Sequence, residues 1–281
     1  MSYIAISQLW KNYGDHVVLE RLSKQVEQGE FVTLVGASGC GKTTFLKMLL
    51  GVESPSKGQL NLQGAPLKRE PDGERGIVFQ RYSVFPHMTV RQNVLVAVEL
   101  RHQGWLSRLT GRLFGKAKQQ ALADVDAMLE RVGLAPSANR YPHELSGGMQ
   151  QRLALAQALI AKPKVLLLDE PFGALDPGIR ADMHVLVKEL WQQENLTIFM
   201  ITHDLSEAFA LGSRLWVFDK VRHDPQAPQA YGATITYDLP INQQTANCDD
   251  TQQVLAKTLS PHVDLSTAQP EKAGLAAAES E

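Results

Sequence analysis

The sequence predicts an α/β fold built around a parallel sheet. The run VLLLDEP at 165–171 is almost continuously apolar, as expected for a strand covered on both faces of such a sheet. Segments with strand and helix periodicity alternate from there to residue 219. A strand, a glycine-rich loop and a helix follow one another around residue 36. Together these three observations favour alternating strands and helices in one sheet.

The N-terminal part adds short strands. Residues 3–10 alternate apolar and polar side chains, which predicts a half-buried strand ending in a turn at 12–15. The β-rich run within 30–35 predicts the next strand, and TFLKMLLGV at 44–52 has helical spacing. Proline and glycine separate two further short strands, at 59–62 and 76–79. We expect a small antiparallel β subdomain beside the main sheet.

The middle of the chain is predominantly helical. Helices are predicted at 89–100 and 116–132, the second with apolar residues three or four positions apart. The stretch 124–160 is mostly helical apart from a connection at 133–145. We therefore expect a helical subdomain over about 81–160.

The alternation continues after residue 171 and then fades. Its predicted elements are a helix at 178–194, a strand at 197–202, a helix at 204–211 and strands at 214–219 and 232–239. We place one domain at 1–240 and a C-terminal extension at 241–281. The extension is rich in polar residues, Ala, Ser and Glu, so we expect part of it to be disordered.

The charge balance and the cysteines limit the function classes. Lys and Arg total 28 against 30 Asp and Glu, which argues against a nucleic-acid partner. Cys40 and Cys248 form no CxxC pair and suit a reducing compartment. No basic, apolar leader and no apolar window of about 20 residues is present, so we expect any membrane role to come through partner subunits.

The glycine-rich loop has the pattern of a phosphate-binding loop. Its glycines allow backbone N–H groups to curl around phosphate oxygens at a helix N-terminus. Lys42 is expected to contact the β and γ phosphates, and the Thr43 hydroxyl suits Mg²⁺. The predicted nucleotide-binding residues of this loop are Gly36, Ala37, Ser38, Gly39, Cys40, Gly41, Lys42, Thr43 and Thr44.

Two carboxylates end the apolar run at 165–168. A carboxylate at the C-terminal end of a parallel strand points into the crevice where ligands bind. We expect Asp169 to support Mg²⁺ and Glu170 to act as the general base toward water. The ordinary alternative is an acidic pair that only faces solvent.

A second anion site is predicted at Ser146-Gly147-Gly148. The usual meaning of such a triplet is an N-cap and a turn. The same arrangement also exposes N–H groups and a hydroxyl at a helix start. The glycine-rich loop and this triplet are thus two candidate phosphate-binding segments in one chain.

The ordered set of motifs resembles the ATPases of ABC transporters over about residues 3–220. GASGCGKT resembles the Walker A loop, LSGGMQQR the signature segment and VLLLDEP the Walker B strand. Four single positions match as well, namely Tyr13 as the aromatic that stacks on adenine, Gln80 of the Q-loop, Asp176 of the D-loop and His203 as the switch histidine.

This resemblance implies a shared ATP site between two nucleotide domains packed head to tail. Ser146, Gly147 and Gly148 of one subunit would bind the γ-phosphate of ATP held by the other, and Asp176 would be a further nucleotide-binding residue. Glu170, His203 and Gln80 would take part in hydrolysis, with Gln80 joining Thr43 and Asp169 as a Mg²⁺ ligand. Alone, a histidine after a strand is more often structural, and Tyr13 would be an ordinary turn aromatic.

The resemblance also implies partner surfaces. The stretch 80–88 corresponds to the groove for the coupling helix of a membrane permease, although it could be a plain surface loop. Residues 101–118 depart from the family as a basic amphipathic insertion. They could lie near lipid headgroups or the permease, or pack on their own subdomain.

The expected function is ATP hydrolysis that energises an ABC transporter. Tyr237-Asp238-Leu239-Pro240 and the compact length are similar to importers of nitrate, sulfonate or taurine. We expect a homodimer on the cytoplasmic face of the membrane, with permease subunits and a periplasmic or extracellular solute-binding protein. The alternatives are an exporter or lipid transporter, a soluble non-transport ABC ATPase, or a P-loop kinase.

Overall fold

The structure, a computed structural model, describes residues 2–79, 84–101, 115–222, 224–227 and 229–241. Ten strands are described: β1 Ile4–Tyr13, β2 His16–Val26, β3 Phe31–Gly36, β4 Lys57–Leu62, β5 Ala65–Pro66, β6 Arg75–Val78, β7 Val165–Asp169, β8 Thr197–Ile201, β9 Arg214–Asp219 and β10 Thr234–Pro240. Six α-helices are described: α1 Lys42–Leu50, α2 Val90–Arg101, α3 Gly115–Arg131, α4 Gly147–Ile160, α5 Pro177–Glu194 and α6 Leu205–Leu211.

The predicted parallel sheet is confirmed. Six strands lie in the order β10-β9-β3-β8-β7-β6, and only β10 runs antiparallel to its neighbour, β9. Every residue of β8 is buried, as are the first four of β7 and the first five of β3. Burial on both faces explains why these strands are continuous apolar runs. Their C-terminal ends lie at one edge of the sheet.

An antiparallel layer forms beside this sheet, in the order β2-β1-β4-β5. It is larger than predicted, because β1 continues to Tyr13 and β2 was not recognised from sequence. Register shifts interrupt the pairing of β1 with β2, and Gln8 and Arg21 have positive φ. These irregularities break the period-two alternation by which a half-buried strand is recognised.

Helices α2, α3 and α4 form a layer of their own. Val125, Leu129 and Val132 are buried in one apolar cluster with residues of α2 and α4, which confirms three members of the predicted stripe. The fourth, Leu122, is only partly buried. Two short 3₁₀ helices, at Ala135–Ser137 and Pro142–Glu144, occupy the predicted connection.

Three predicted features fall outside the described residues. They are Gln80, most of the 101–118 insertion and the extension beyond residue 241. Among the described helices, none is both long and apolar enough to cross a membrane. Over the same described residues, the acidic, histidine and cysteine side chains form no cluster of three that would hold a metal ion.

Candidate nucleotide site

The glycine-rich loop joins β3 to α1 at the C-terminal edge of the parallel sheet. Gly36 has a φ of 146°, and a Cβ there would lie 2.2 Å from the carbonyl oxygen of Phe218. Gly41 has a φ of 92°, and a Cβ there would lie 2.7 Å from Leu19. Both positions therefore require glycine, on grounds of space and of backbone conformation. The loop is held against β9 at one end and β2 at the other.

Lys42 is held inside the loop that precedes it. Its Nζ donates hydrogen bonds to the carbonyl oxygens of Gly36, at 2.7 Å, and Ala37, at 2.9 Å. The side chain is buried, so the ammonium is fixed at the first turn of α1. The ammonium and the N–H groups of the helix start form a positive site suited to phosphate.

A cavity of about 610 Å³ opens over this loop. It brings together residues predicted from separate segments of the sequence, and it also includes three that were not predicted, His16, Val18 and Ile201. Its lining consists of Tyr13, His16, Val18, Gly36, Ser38, Gly39, Gly41, Lys42, Thr43, Thr44, Glu170, Ile201 and His203. His16 and Val18 carry no motif, and only their place at the start of β2 brings them to the site.

Thr43 and Asp169 form an oxygen-rich corner of the site. The Thr43 hydroxyl donates to Oδ1 of Asp169 at 3.4 Å. Burial raises the pKa of the Asp169 carboxyl above its ordinary value, the Thr43 hydrogen bond opposes this, and the neighbouring Glu170 charge adds to it. A partly buried carboxylate beside a second negative charge is a site that a cation would stabilise. The two oxygen donors thus fit Mg²⁺, a hard ion.

Glu170 and His203 lie together at the ends of β7 and β8. Glu170 has a φ of 47°, and its N–H donates to the carbonyl oxygen of Ile201 at 3.1 Å. Oε1 of Glu170 is 3.7 Å from Nδ1 of His203. The His203 side chain is 66% exposed, so it can reach a ligand in the cavity. Strand order, rather than sequence proximity, pairs these two side chains.

Tyr13 stands at the mouth of the cavity, at the end of β1. Its hydroxyl donates a hydrogen bond to Glu53, which also pairs with Lys11 at 2.9 Å. The Lys11 ammonium lies 4.8 Å from the centre of the Tyr13 ring and covers one face. Tyr13 as a residue is 47% exposed, which leaves area for stacking a base.

The signature residues lie elsewhere and do not line this cavity. Ser146 is the N-cap of α4, and its hydroxyl accepts a hydrogen bond from the N–H of Met149 at 3.4 Å. Ser146 and Gly147 are exposed, whereas Gly148 is buried against Ile179 of α5. Asp176 is exposed at the N-terminus of α5 and is also absent from the lining. The residues of the predicted second anion site thus lie apart from this cavity.

Residues 84–88, the described part of the predicted docking stretch, are held by hydrogen bonds to the side chain of a buried asparagine. Asn93 of α2 accepts from the N–H of Phe85 at 2.7 Å and donates to the carbonyl oxygens of Phe85 and Met88. Phe85 is left partly exposed. Asn93 was not predicted, because an asparagine within a helical pattern gives no sign of the loop it holds.

Comparison with known proteins gives a consistent result. The sequence pattern of the family described as "ABC transporter" matches residues 19–173. The spermidine/putrescine import ATP-binding protein of Chromobacterium violaceum is 42% identical over 219 residues, 77% of this chain and 57% of its own length. The nitrate import ATP-binding protein of Synechocystis is 39% identical over 83% of this chain and 80% of its own length.

Comparison with solved structures leads to the same family as the sequence comparisons. A dimeric bacterial ABC transporter cassette shares 25% identity with a TM-score of 0.68, covering 85% of this chain and 99% of the cassette. The chain spans little more than half the length of the polyamine relative, against four fifths of the nitrate relative.

Proposed function

The chain belongs to the ABC transporter family, and from that membership we propose that it binds ATP with Mg²⁺ and hydrolyses it to drive solute import through a partner permease. One observation carries most of the proposal. One cavity collects most residues of the phosphate loop and the Glu170–His203 pair, and Asp169 is hydrogen-bonded to Thr43 of its lining. Ser146 and Gly147 of the signature are exposed outside this cavity.

The chemistry is transfer of the γ-phosphoryl group to water. The loop N–H groups and Lys42 bind the phosphates. Thr43 and Asp169, joined by Gln80 as the family resemblance implies, would hold Mg²⁺, which neutralises phosphate charge when bound. Glu170 accepts a proton from the attacking water, and His203 orients that water and the γ-phosphate. The bond from the γ-phosphorus to the bridging oxygen breaks, leaving ADP and phosphate.

The second half of the site comes from another copy of the chain. Ser146, Gly147 and Asp176 are exposed and lie outside the cavity that they are proposed to serve. ATP bound to one subunit would therefore be completed by the signature of the other. Its higher affinity for the closed pair drives closure, and hydrolysis removes that contact. The dimeric related cassette supports this arrangement.

The membrane partner is a permease that docks near residues 84–88. The exposed Phe85, held by Asn93, is an aromatic anchor of the kind found in protein interfaces. This contact would place the chain as a peripheral subunit on the cytoplasmic face of the membrane. A solute-binding protein outside the membrane would deliver cargo to the permease.

The cargo is proposed to be a small anion or organic solute such as nitrate, sulfonate or taurine. The nitrate relative supports this choice, because it matches across four fifths of its length. Cells lacking this chain should lose nitrate or sulfonate uptake and keep polyamine uptake. Loss of putrescine uptake alone would contradict the assignment.

The shared site is tested by self-association of the Glu170→Gln protein. Without the proton acceptor, ATP should bind and stay intact, so light scattering should show a dimer with Mg-ATP and a monomer without it. Adding Ser146→Arg should abolish the dimer while nucleotide binding persists. A monomer in all conditions, with full wild-type hydrolysis, would indicate a self-contained P-loop enzyme such as a kinase.

A further inference from the structure

A buried hydroxyl fixes the backbone on either side of His203. Thr202, which is 2% exposed, donates a hydrogen bond from its hydroxyl to the carboxylate of Glu207 on α6. The same hydroxyl accepts the N–H of Asp204 at 3.1 Å. The residues before and after His203 are thus anchored, while the His203 ring itself stays exposed.

Glu207 is in turn bound to a second histidine, on α5. Glu207 is 5% exposed, and its other oxygen, Oε1, lies 2.9 Å from Nε2 of His184. With the ring proton of His184 on Nε2, this N–H donates to Oε1, because an unprotonated carboxylate oxygen accepts. A buried carboxyl group with both oxygens hydrogen-bonded holds its partners firmly, since losing either partner leaves a buried oxygen without a hydrogen bond.

His184 also touches the segment that follows Glu170. Its ring packs edge-on against Phe172, with ring centres 5.1 Å apart and planes at 66°. Phe172 is buried and lies two residues after Glu170. His184 therefore contacts the segment after Glu170 directly, and the segment of His203 through Glu207 and Thr202.

We propose that His184 and Glu207 are positioning residues that set the place of Glu170 relative to His203, the 3.7 Å pair in the cavity. The proposal rests on the hydrolysis assigned above. Neither residue lines the cavity. They would keep the loop that carries Glu170 and the loop that carries His203 at a fixed distance from each other. This matters because small misplacements of reacting groups lower the rate steeply.

The test compares substitutions at His184 in steady-state hydrolysis of Mg-ATP. His184→Phe keeps a ring against Phe172 but removes the donor to Glu207, and should lower kcat about tenfold with KM nearly unchanged. His184→Gln places an amide N–H near the position of Nε2 and should restore most of that loss. Thr202→Val, which keeps the volume but removes the hydroxyl, should also lower kcat.

Lys188 supplies the matched control, because it also joins α5 to α6. Its Nζ donates to the carbonyl oxygen of Ala210 at 3.4 Å, away from both loops. Lys188→Met should leave kcat unchanged. An equal loss of kcat in Lys188→Met and His184→Phe would show that only general helix packing is at work, and would overturn the proposal.

The remaining outcomes are also decisive. Wild-type kcat in His184→Phe overturns the proposal, and so does a loss that His184→Gln fails to restore. If His184→Phe does not fold, Thr202→Val decides in the same way. A wild-type protein that binds but does not hydrolyse Mg-ATP overturns the proposed function itself, whereas active wild type with unaffected variants overturns only the positioning role.

Discussion

Cys40 shows how a single residue in the loop takes its properties from its surroundings. The thiol is half-buried, and its Sγ lies 3.6 Å from Nζ of Lys42. Burial raises the pKa of the thiol above its ordinary value, although the Lys42 charge opposes that rise. Because the pKa is raised, little of the thiol is ionised at neutral pH, and the thiolate is the form that reacts.

We expect alkylation of Cys40 to be slow at neutral pH and to block nucleotide binding once complete. Its rate should still be rising with pH at about pH 9, because the folded pKa lies above the ordinary value. Mg-ATP should protect the thiol. Mass spectrometry of Cys40 against time measures the rate, and Cys248→Ser removes the other thiol. Complete modification with full ATPase activity would contradict this prediction.

Residue roles near Glu170 were only partly predictable from sequence. The motif spacing predicted Lys42, Thr43, Asp169 and Glu170; three of them line the cavity, and Asp169 is hydrogen-bonded to Thr43. His184 and Glu207 had no signal, because each lies within an ordinary helical pattern. Their importance depends on the contact that they make with each other, between residues 23 positions apart in the sequence.

At the scale of elements, Gly148 joins the signature helix α4 to α5. A Cβ at Gly148 would lie 2.3 Å from Cγ2 of Ile179. Gly148→Ala should therefore shift the start of α4 and weaken ATP-dependent dimerisation of the Glu170→Gln protein, with nucleotide binding retained. Light scattering with Mg-ATP measures the effect.

Two companion variants sharpen that test. Gly178→Ala is the control, since a Cβ there meets nothing within 4 Å. Adding Ile179→Ala to Gly148→Ala should restore part of the dimer by making room for the new methyl group. Undiminished dimerisation of Gly148→Ala would show that this contact does not set the signature surface.

Asp238 joins β10 to its neighbouring strands through hydrogen bonds and ion pairs. Its carboxylate accepts hydrogen bonds from Arg214, at 2.6 and 2.9 Å, and from the Trp216 indole at 2.9 Å, and pairs with Lys24 at 2.9 Å. Burial raises the pKa of this carboxyl, but the hydrogen bonds and charges of Arg214 and Lys24 outweigh it and lower the pKa to about 2. One carboxylate thus ties β10 to β9 and to β2.

Asp238→Asn should lower the free energy of unfolding by roughly 1–2 kcal/mol at neutral pH, a figure reduced for solvent screening. Because the folded pKa is depressed, the stabilisation is present above the unfolded pKa near 4 and is lost as pH falls toward 2. The difference between wild type and variant in urea unfolding should therefore shrink between pH 5 and about pH 2. A constant difference would argue against an ionised Asp238.

For the whole molecule, the proposed sharing of the ATP site would make activity a property of two copies. Lys42→Ala destroys the phosphate loop and Ser146→Arg destroys the signature. In a mixed dimer, one site pairs the Lys42→Ala loop with the Ser146→Arg signature and is inactive. The other site pairs the intact loop of the Ser146→Arg subunit with the intact signature of the Lys42→Ala subunit. Mixing the two inactive proteins should therefore restore ATP hydrolysis, measured as phosphate release. Equal concentrations of each variant alone are the controls, and no recovery on mixing would contradict sharing between copies.

The sequence by itself determined the α/β class, the helical layer and the glycine-rich loop that joins β3 to α1. Periodicity and glycine spacing are local properties, so they can be recognised without knowing which segments meet. The tertiary structure alone decided that β2 completes the antiparallel layer and brings His16 and Val18 to the cavity. It also decided that His184 lies between the loops of Glu170 and His203, because strand order and helix packing bring distant segments into contact.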